Sequence, residues 1–228
     1  MKAVLNFAKI DLKRSKNVLW IALIPMGVAI FLFFNKQGVS RDFFAIGYAA
    51  FMGIVVAASP FQLENMSEQG FFRMLPAKPG TQAKGHFLFA AIMLFVFMFL
   101  GLAGVLLPKI YFQGAEETIR FLLWDVPELF ILMYGAAAVF LAIEGLVMTC
   151  FRFKSPQANA ILRIIPGLLF FFVTMSLSED TDIPNSVHRQ MAYVLANAPL
   201  SLLLGLFGVV IFVCLGYAAG SVSAKREG

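Results

Sequence analysis

Residues 62–86 read QLENMSEQGFFRMLPAKPGTQAKGH. This polar island separates two apolar stretches, Phe43–Phe61 and Phe87–Leu107, each long enough to cross a bilayer. A connection between two membrane spans needs only a turn. This one is far longer and carries a helical period: Leu63, Met66, Gly70 and Met74 form one stripe, with Phe71 and Leu75 beside it. Glu64, Ser67, Glu68 and Arg73 lie mostly off that stripe. The pattern predicts a helical extension of the second span, followed by a short helix near the membrane surface. Pro76, Pro79 and Gly80 end that helix, and Thr81 caps the next one.

The composition outside the island points the same way. Hydrophobic residues make up 60% of the 228 and charged residues 14%, where soluble domains carry about one quarter charged. Periodicity and charge breaks predict six spans: Val18–Phe34, Phe43–Phe61, Phe87–Leu107, Glu128–Cys150, Ile161–Leu177 and Pro199–Gly220. The expectation is a single all-α, polytopic membrane domain covering residues 1–228. No cleavable signal peptide is expected, because the first apolar run follows polar-rich residues and lacks a small-residue cleavage site. The net charge of +5 is no nucleic-acid signal here, because basic residues flank spans and orient them.

Thirteen of the 18 lysines and arginines fall on the N-terminus, the 62–86 island, the loop after the fourth span and the C-terminal tail. Lys36, Arg41, Lys109, Arg120 and Arg189 fall on the opposite side, with Asp42, Glu116, Glu117, Asp125, Glu179, Asp180 and Asp182. The positive-inside rule then puts both termini in the cytoplasm. Residues 1–17 read as an amphipathic interfacial helix. Lys2, Lys9, Lys13 and Lys16 form a stripe opposite Val4, Leu5, Phe7, Ala8 and Leu12, so the helix is expected to lie apolar side down with its lysines toward headgroups or cytosol. Pro25 and Pro166 fall inside spans. Gly216 and Gly220 make a GxxxG pair that permits close helix contact. Cys150 and Cys214 sit in apolar runs and read as small buried hydrophobes.

The chain carries no enzyme signature. It has no P-loop, no H-E-x-x-H and no G-x-S-x-G, and its two histidines, His86 and His188, lack metal-ligand spacing. No catalytic, cofactor-binding or metal-binding residue is therefore assigned. Glu144 stands out instead. It lies about two turns from the cytoplasmic end of the fourth span, amid Phe140, Leu141, Ile143 and Leu146. A carboxylate in hydrocarbon costs roughly 2.5–3.5 kcal/mol on insertion scales, so Glu144 should face the bundle or a wet cavity. It is a candidate pathway residue, or else a structural polar contact between helices.

These features together resemble the type 2 ABC exporter permeases, in their small six-span subgroup. The sequence-specific part of the resemblance is Glu68-Gln69-Gly70-Phe71-Phe72-Arg73-Met74-Leu75-Pro76-Ala77-Lys78, followed by Ala83-Lys84-Gly85, with Phe151-Arg152-Phe153-Lys154 as a basic-aromatic turn. The usual glycine after that turn is replaced by Ser155-Pro156. The resemblance implies a separate ABC ATPase subunit that holds ATP and Mg, and a second permease chain, identical or related. It makes residues 62–86 the coupling segment, with Glu68, Gly70, Phe71, Phe72, Arg73 and Leu75 as the docking surface. It also implies a multi-pass protein of a bacterial plasma membrane, exporting amphipathic or hydrophobic cargo, peptides and toxins included. Two other readings remain open on the residues: a proton-coupled secondary transporter using Glu144, and a non-transporting immunity or scaffold protein.

Overall fold

The computed structural model describes residues 2–33, 39–61, 79–113, 126–150, 156–176 and 197–226. Among these residues all regular structure is helical. The order is α1 Lys2–Arg14, α2 Lys16–Phe33, α3 Val39–Ala57, α4 Pro79–Gln113, α5 Val126–Cys150, α6 Pro156–Ser176 and α7 Ala198–Arg226. Parts of α4, α5 and α7 are long and apolar enough to cross a membrane: Gly80–Leu107, Phe130–Thr149 and Pro199–Lys225. Shorter apolar helices, Lys16–Ala29, Ala45–Phe61 and Ile164–Val173, stand where the first, second and fifth spans are expected. The chain is thus an all-α protein of membrane-embedded character.

Most helix ends run past the expected spans. α4 begins at Pro79, before the predicted cap at Thr81, and continues beyond Leu107 to Gln113. Proline suits a first helical turn, where its missing N–H has no partner to lose and its φ is already helical. α7 likewise passes Gly220 and reaches Arg226. Charged residues at a span's end do not stop a helix, because its backbone groups remain best satisfied by each other.

The core forms where α3, α4, α5 and α7 meet, and the α5–α7 and α3–α4 contacts are the most extensive. Ala49, Ala50, Ile54, Leu94, Phe97, Met98, Ala137 and Leu141 are all buried there. Small residues let backbones approach, which substitutes for a hydrophobic driving force that lipid does not provide. At Gly135 of α5, an added Cβ would fall on the carbonyl oxygen of Gly205 in α7. At Gly208 it would lie 2.5 Å from the Gly135 oxygen. At Gly101 of α4 an added Cβ would fall on the Ala49 side chain of α3. The expected Gly216–Gly220 pair makes looser contacts with α4: Gly216 faces the Phe87 ring and Gly220 faces Gly80 and Lys84. The tight seam is Gly135, Gly205 and Gly208, where the backbones of α5 and α7 touch.

The outward faces are apolar. Ile21, Ile24 and Val28 of α2, Phe95 and Phe99 of α4, Phe172 of α6, and Leu203, Phe207 and Val210 of α7 are all exposed. Continuous apolar exteriors of this kind suit lipid rather than water. Cys214 belongs to this exterior, as a free exposed thiol and not the small buried hydrophobe expected. It sits on the outward side of α7, where a small apolar side chain meets no polar demand.

The N-terminal helix also departs from the expected orientation. Phe7, Ala8 and Asp11 are buried, whereas Leu5 and Leu12 are exposed. The apolar side of α1 is therefore split. One part packs on α4, where Gly85 leaves room for Phe7, and only Leu5 and Leu12 remain to face outward. Tertiary packing against a glycine notch outcompetes full immersion in the interface. α1 and α2 meet at a turn at Ser15, across which helical bonding runs on: the Ser15 amide bonds the Asp11 carbonyl (2.8 Å) and its carbonyl accepts from the Leu19 amide (2.9 Å).

Candidate functional site

A cluster of buried polar residues lies at the end of the bundle that carries α1, the start of α4 and the end of α5. Val4, Ala8, Asp11 and Ser15 fall on one side of α1 at alternating helical spacings of four and three residues. This register turns Asp11 toward α4. The His86 Nδ1–H donates to Asp11 Oδ2 at 2.6 Å. His86 is 0% exposed and Asp11 1%. An ionised carboxylate only accepts, so Nδ1 carries the proton in either charge state of the ring. Taking these groups from water has a large desolvation cost, offset only while the pair is made.

One turn along, the Ser15 and Ser59 hydroxyls hydrogen-bond at 2.6 Å, both residues buried. Ser59 lies in the helical extension of α3, which the Ala58 amide begins by bonding the Ile54 carbonyl at 2.9 Å. These two bonds have one topological result. Ser59 stands just before residues 62–78 and His86 just after them, so α1 grips the chain on both sides of that connection.

The rings of Phe61 and Phe87 wall the site. Phe61 stands edge-on to His86 at 5.8 Å and to Phe87 at 5.1 Å, and Phe87 meets Phe212 of α7 at 5.4 Å. Such tilted contacts set the positive ring edge against a neighbouring π face. Both rings press on Gly145 of α5, where an added Cβ would lie 3.0 Å from each. Glu144 precedes that glycine and is 4% exposed. Burial in the bundle is what the cost of a carboxylate in hydrocarbon demands. A turn further, the Thr149 hydroxyl donates to the Gly145 carbonyl at 2.7 Å. Gln82 is also buried at this end. Lys84 lies over the Tyr217 ring at 4.6 Å, a cation–π contact that joins α4 to α7. Among the described residues no three His, Cys, Asp or Glu side chains gather as a metal site.

Of the candidate site residues named from the sequence, Glu144 falls at this end of the bundle. Glu68, Gly70, Phe71, Phe72, Arg73 and Leu75 lie outside the described residues. Sequence reasoning passed over Asp11, Ser15 and Ser59, and weighed His86 only as a metal ligand. The available signal was Asp11 itself, an acid on the same helical register as Val4 and Ala8 and away from the lysine stripe. Such a residue needs a partner, and His86 closes the polar island. The chain matches no protein-family model, and no curated protein matches its sequence.

Proposed function

We propose that this chain is the transmembrane permease subunit of an ABC exporter. It crosses a bacterial plasma membrane six times with both termini in the cytoplasm, and pairs with a second permease chain. A separate ATPase binds ATP and Mg and docks on residues 62–78 through Glu68, Gly70, Phe71, Phe72, Arg73 and Leu75. The cargo is amphipathic or hydrophobic. The observation that carries this reading is the double attachment of α1, Ser15 to Ser59 and Asp11 to His86. A connection braced at both roots can transmit a push from a soluble partner into α3 and α4, whereas a loose one would absorb it. Phe71, Phe72 and Leu75 supply apolar anchors, and Glu68 and Arg73 set the register at the rim.

The test is Phe72→Ala with Arg73→Ala. Insertion should be unchanged because the spans are untouched. Co-purification of the ATPase should fall, and hydrolysis should uncouple from transport. A double variant that keeps its ATPase and full transport defeats the docking assignment.

The burial of Glu144 within the bundle favours a second reading, a proton-coupled transporter. Glu144→Gln keeps volume and hydrogen bonding and removes the charge. On the exporter reading, with Glu144 in the pathway, substrate-stimulated ATP hydrolysis should change severalfold. On the proton-coupled reading, transport should need no ATPase, collapse with an uncoupler and vanish in the Gln variant. Unchanged transport at normal expression leaves Glu144 a structural contact only.

A further inference from the structure

We propose that the outer surface of α1 and the first turn of α2 form a binding surface for anionic phospholipid headgroups. The inference requires a membrane-embedded chain and does not depend on the exporter reading.

α1 has three distinct sides. The inner side is occupied: Phe7, Ala8 and Asp11 pack toward α4, with Asp11 held by His86. Lys2, Lys9 and Lys13 lie exposed on the far side. Between them run Leu5 and Leu12, 42% and 45% exposed. The buried Asp11–His86 hydrogen bond fixes the helix's rotation, so the other two sides point in set directions. The surface continues past the turn at Ser15. Lys16 and Trp20 are both exposed and lie one turn apart on α2. Beyond them the outward face is wholly apolar, at Ile21, Ile24 and Val28. Lysine, then tryptophan, then aliphatic side chains is the order of chemistry met on going from headgroups to acyl chains.

This order selects the occupant. An acidic protein surface would answer the lysines but leave Leu5 and Leu12 against water or against charge. A headgroup layer accepts the ammonium groups at its phosphates and the leucines among its upper methylenes. Net-negative lipid is favoured over zwitterionic lipid because a Lys ammonium is a point charge that gains from the unbalanced phosphodiester.

The full chain should be purified, equilibrated with mixed phosphatidylglycerol and phosphatidylcholine, and its retained lipids weighed by native mass spectrometry. The wild type should retain phosphatidylglycerol preferentially, with the preference falling as salt rises. Each lysine near an anionic surface contributes about fivefold, so Lys9→Gln, Lys13→Gln and Lys16→Gln together should cut the preference on the order of a hundredfold at low salt. The matching Lys→Arg variant should keep it. A Gln variant with unchanged preference overturns the proposal. So does a wild type with no phosphatidylglycerol preference, or one insensitive to salt. Where the triple Gln variant inserts poorly, Lys9→Gln and Lys13→Gln made singly should each cut the preference about fivefold, and single variants with the wild-type preference overturn the proposal equally.

Discussion

Gly135→Leu is expected to yield no folded bundle. The seam between α5 and α7 is backbone against backbone: a Cβ at Gly135 would fall on the Gly205 oxygen and lie 2.7 Å from that residue's carbonyl carbon. No side chain stands there to rotate away, so the helices themselves must part. Parting them weakens the most extensive helix–helix contact among the described residues. Overpacking a core costs about 1–3 kcal/mol where side chains can yield, and more where only backbone can. Gly135→Ala should therefore lose about 3 kcal/mol or more, and Gly205→Ala a similar amount, since a Cβ there meets the Ile131 carbonyl. Gly27→Ala is the control. Nothing lies within 4 Å of a Cβ at that position, and alanine favours helix by about 1 kcal/mol. Thermal unfolding in detergent should rank the variants in this order. A Gly135→Leu protein melting like the wild type would refute the seam.

Asp11→Ala is expected to release α1 from α4. The pair it breaks is almost fully buried, and removing one partner strands the other away from water, at a cost of about 3–5 kcal/mol. Removing both partners has a different outcome. Asp11→Leu with His86→Leu leaves no charge to desolvate and should recover most of the loss. Hydrogen exchange over residues 2–14 reads the effect directly: fast in Asp11→Ala, slow again in the double variant. Exchange as fast in the double variant as in the single one would show that the pair, and not mere burial, holds the helix. Wild-type exchange in Asp11→Ala would show that the pair holds nothing.

The helices were legible in the sequence because apolar runs bounded by charge leave few alternatives. Pro25 and Pro166 lie inside α2 and α6 without ending either helix. The burial of Glu144 was legible too, since desolvation alone dictates it. The glycine seam was not. Chain-local spacing finds a GxxxG within one helix, but Gly135 meets Gly205 and Gly208 across two helices, and nothing near Gly135 names its partner. The orientation of α1 failed for a related reason. Its hydrophobic periodicity reports which side avoids water, yet lipid and protein avoid water equally well. The notch at Gly85 divides Phe7 from Leu5, and it lies far away in the chain. Asp11 and His86 were separately visible as odd residues, and only the fold brings them together.

The Ser15–Ser59 bond differs in kind from the pair one turn away. Either hydroxyl can be the donor, so the bond has no fixed polarity and neither partner titrates near neutral pH. Loss of the Asp11–His86 bond therefore loosens α1 from its free end and leaves the residue that follows it, Ser15, fastened to Ser59. The helix then has a fixed pivot, and its N-terminus sweeps an arc about Ser15 instead of drifting off. The lysines farthest from the pivot travel farthest, so Lys2 moves most and Lys13 least.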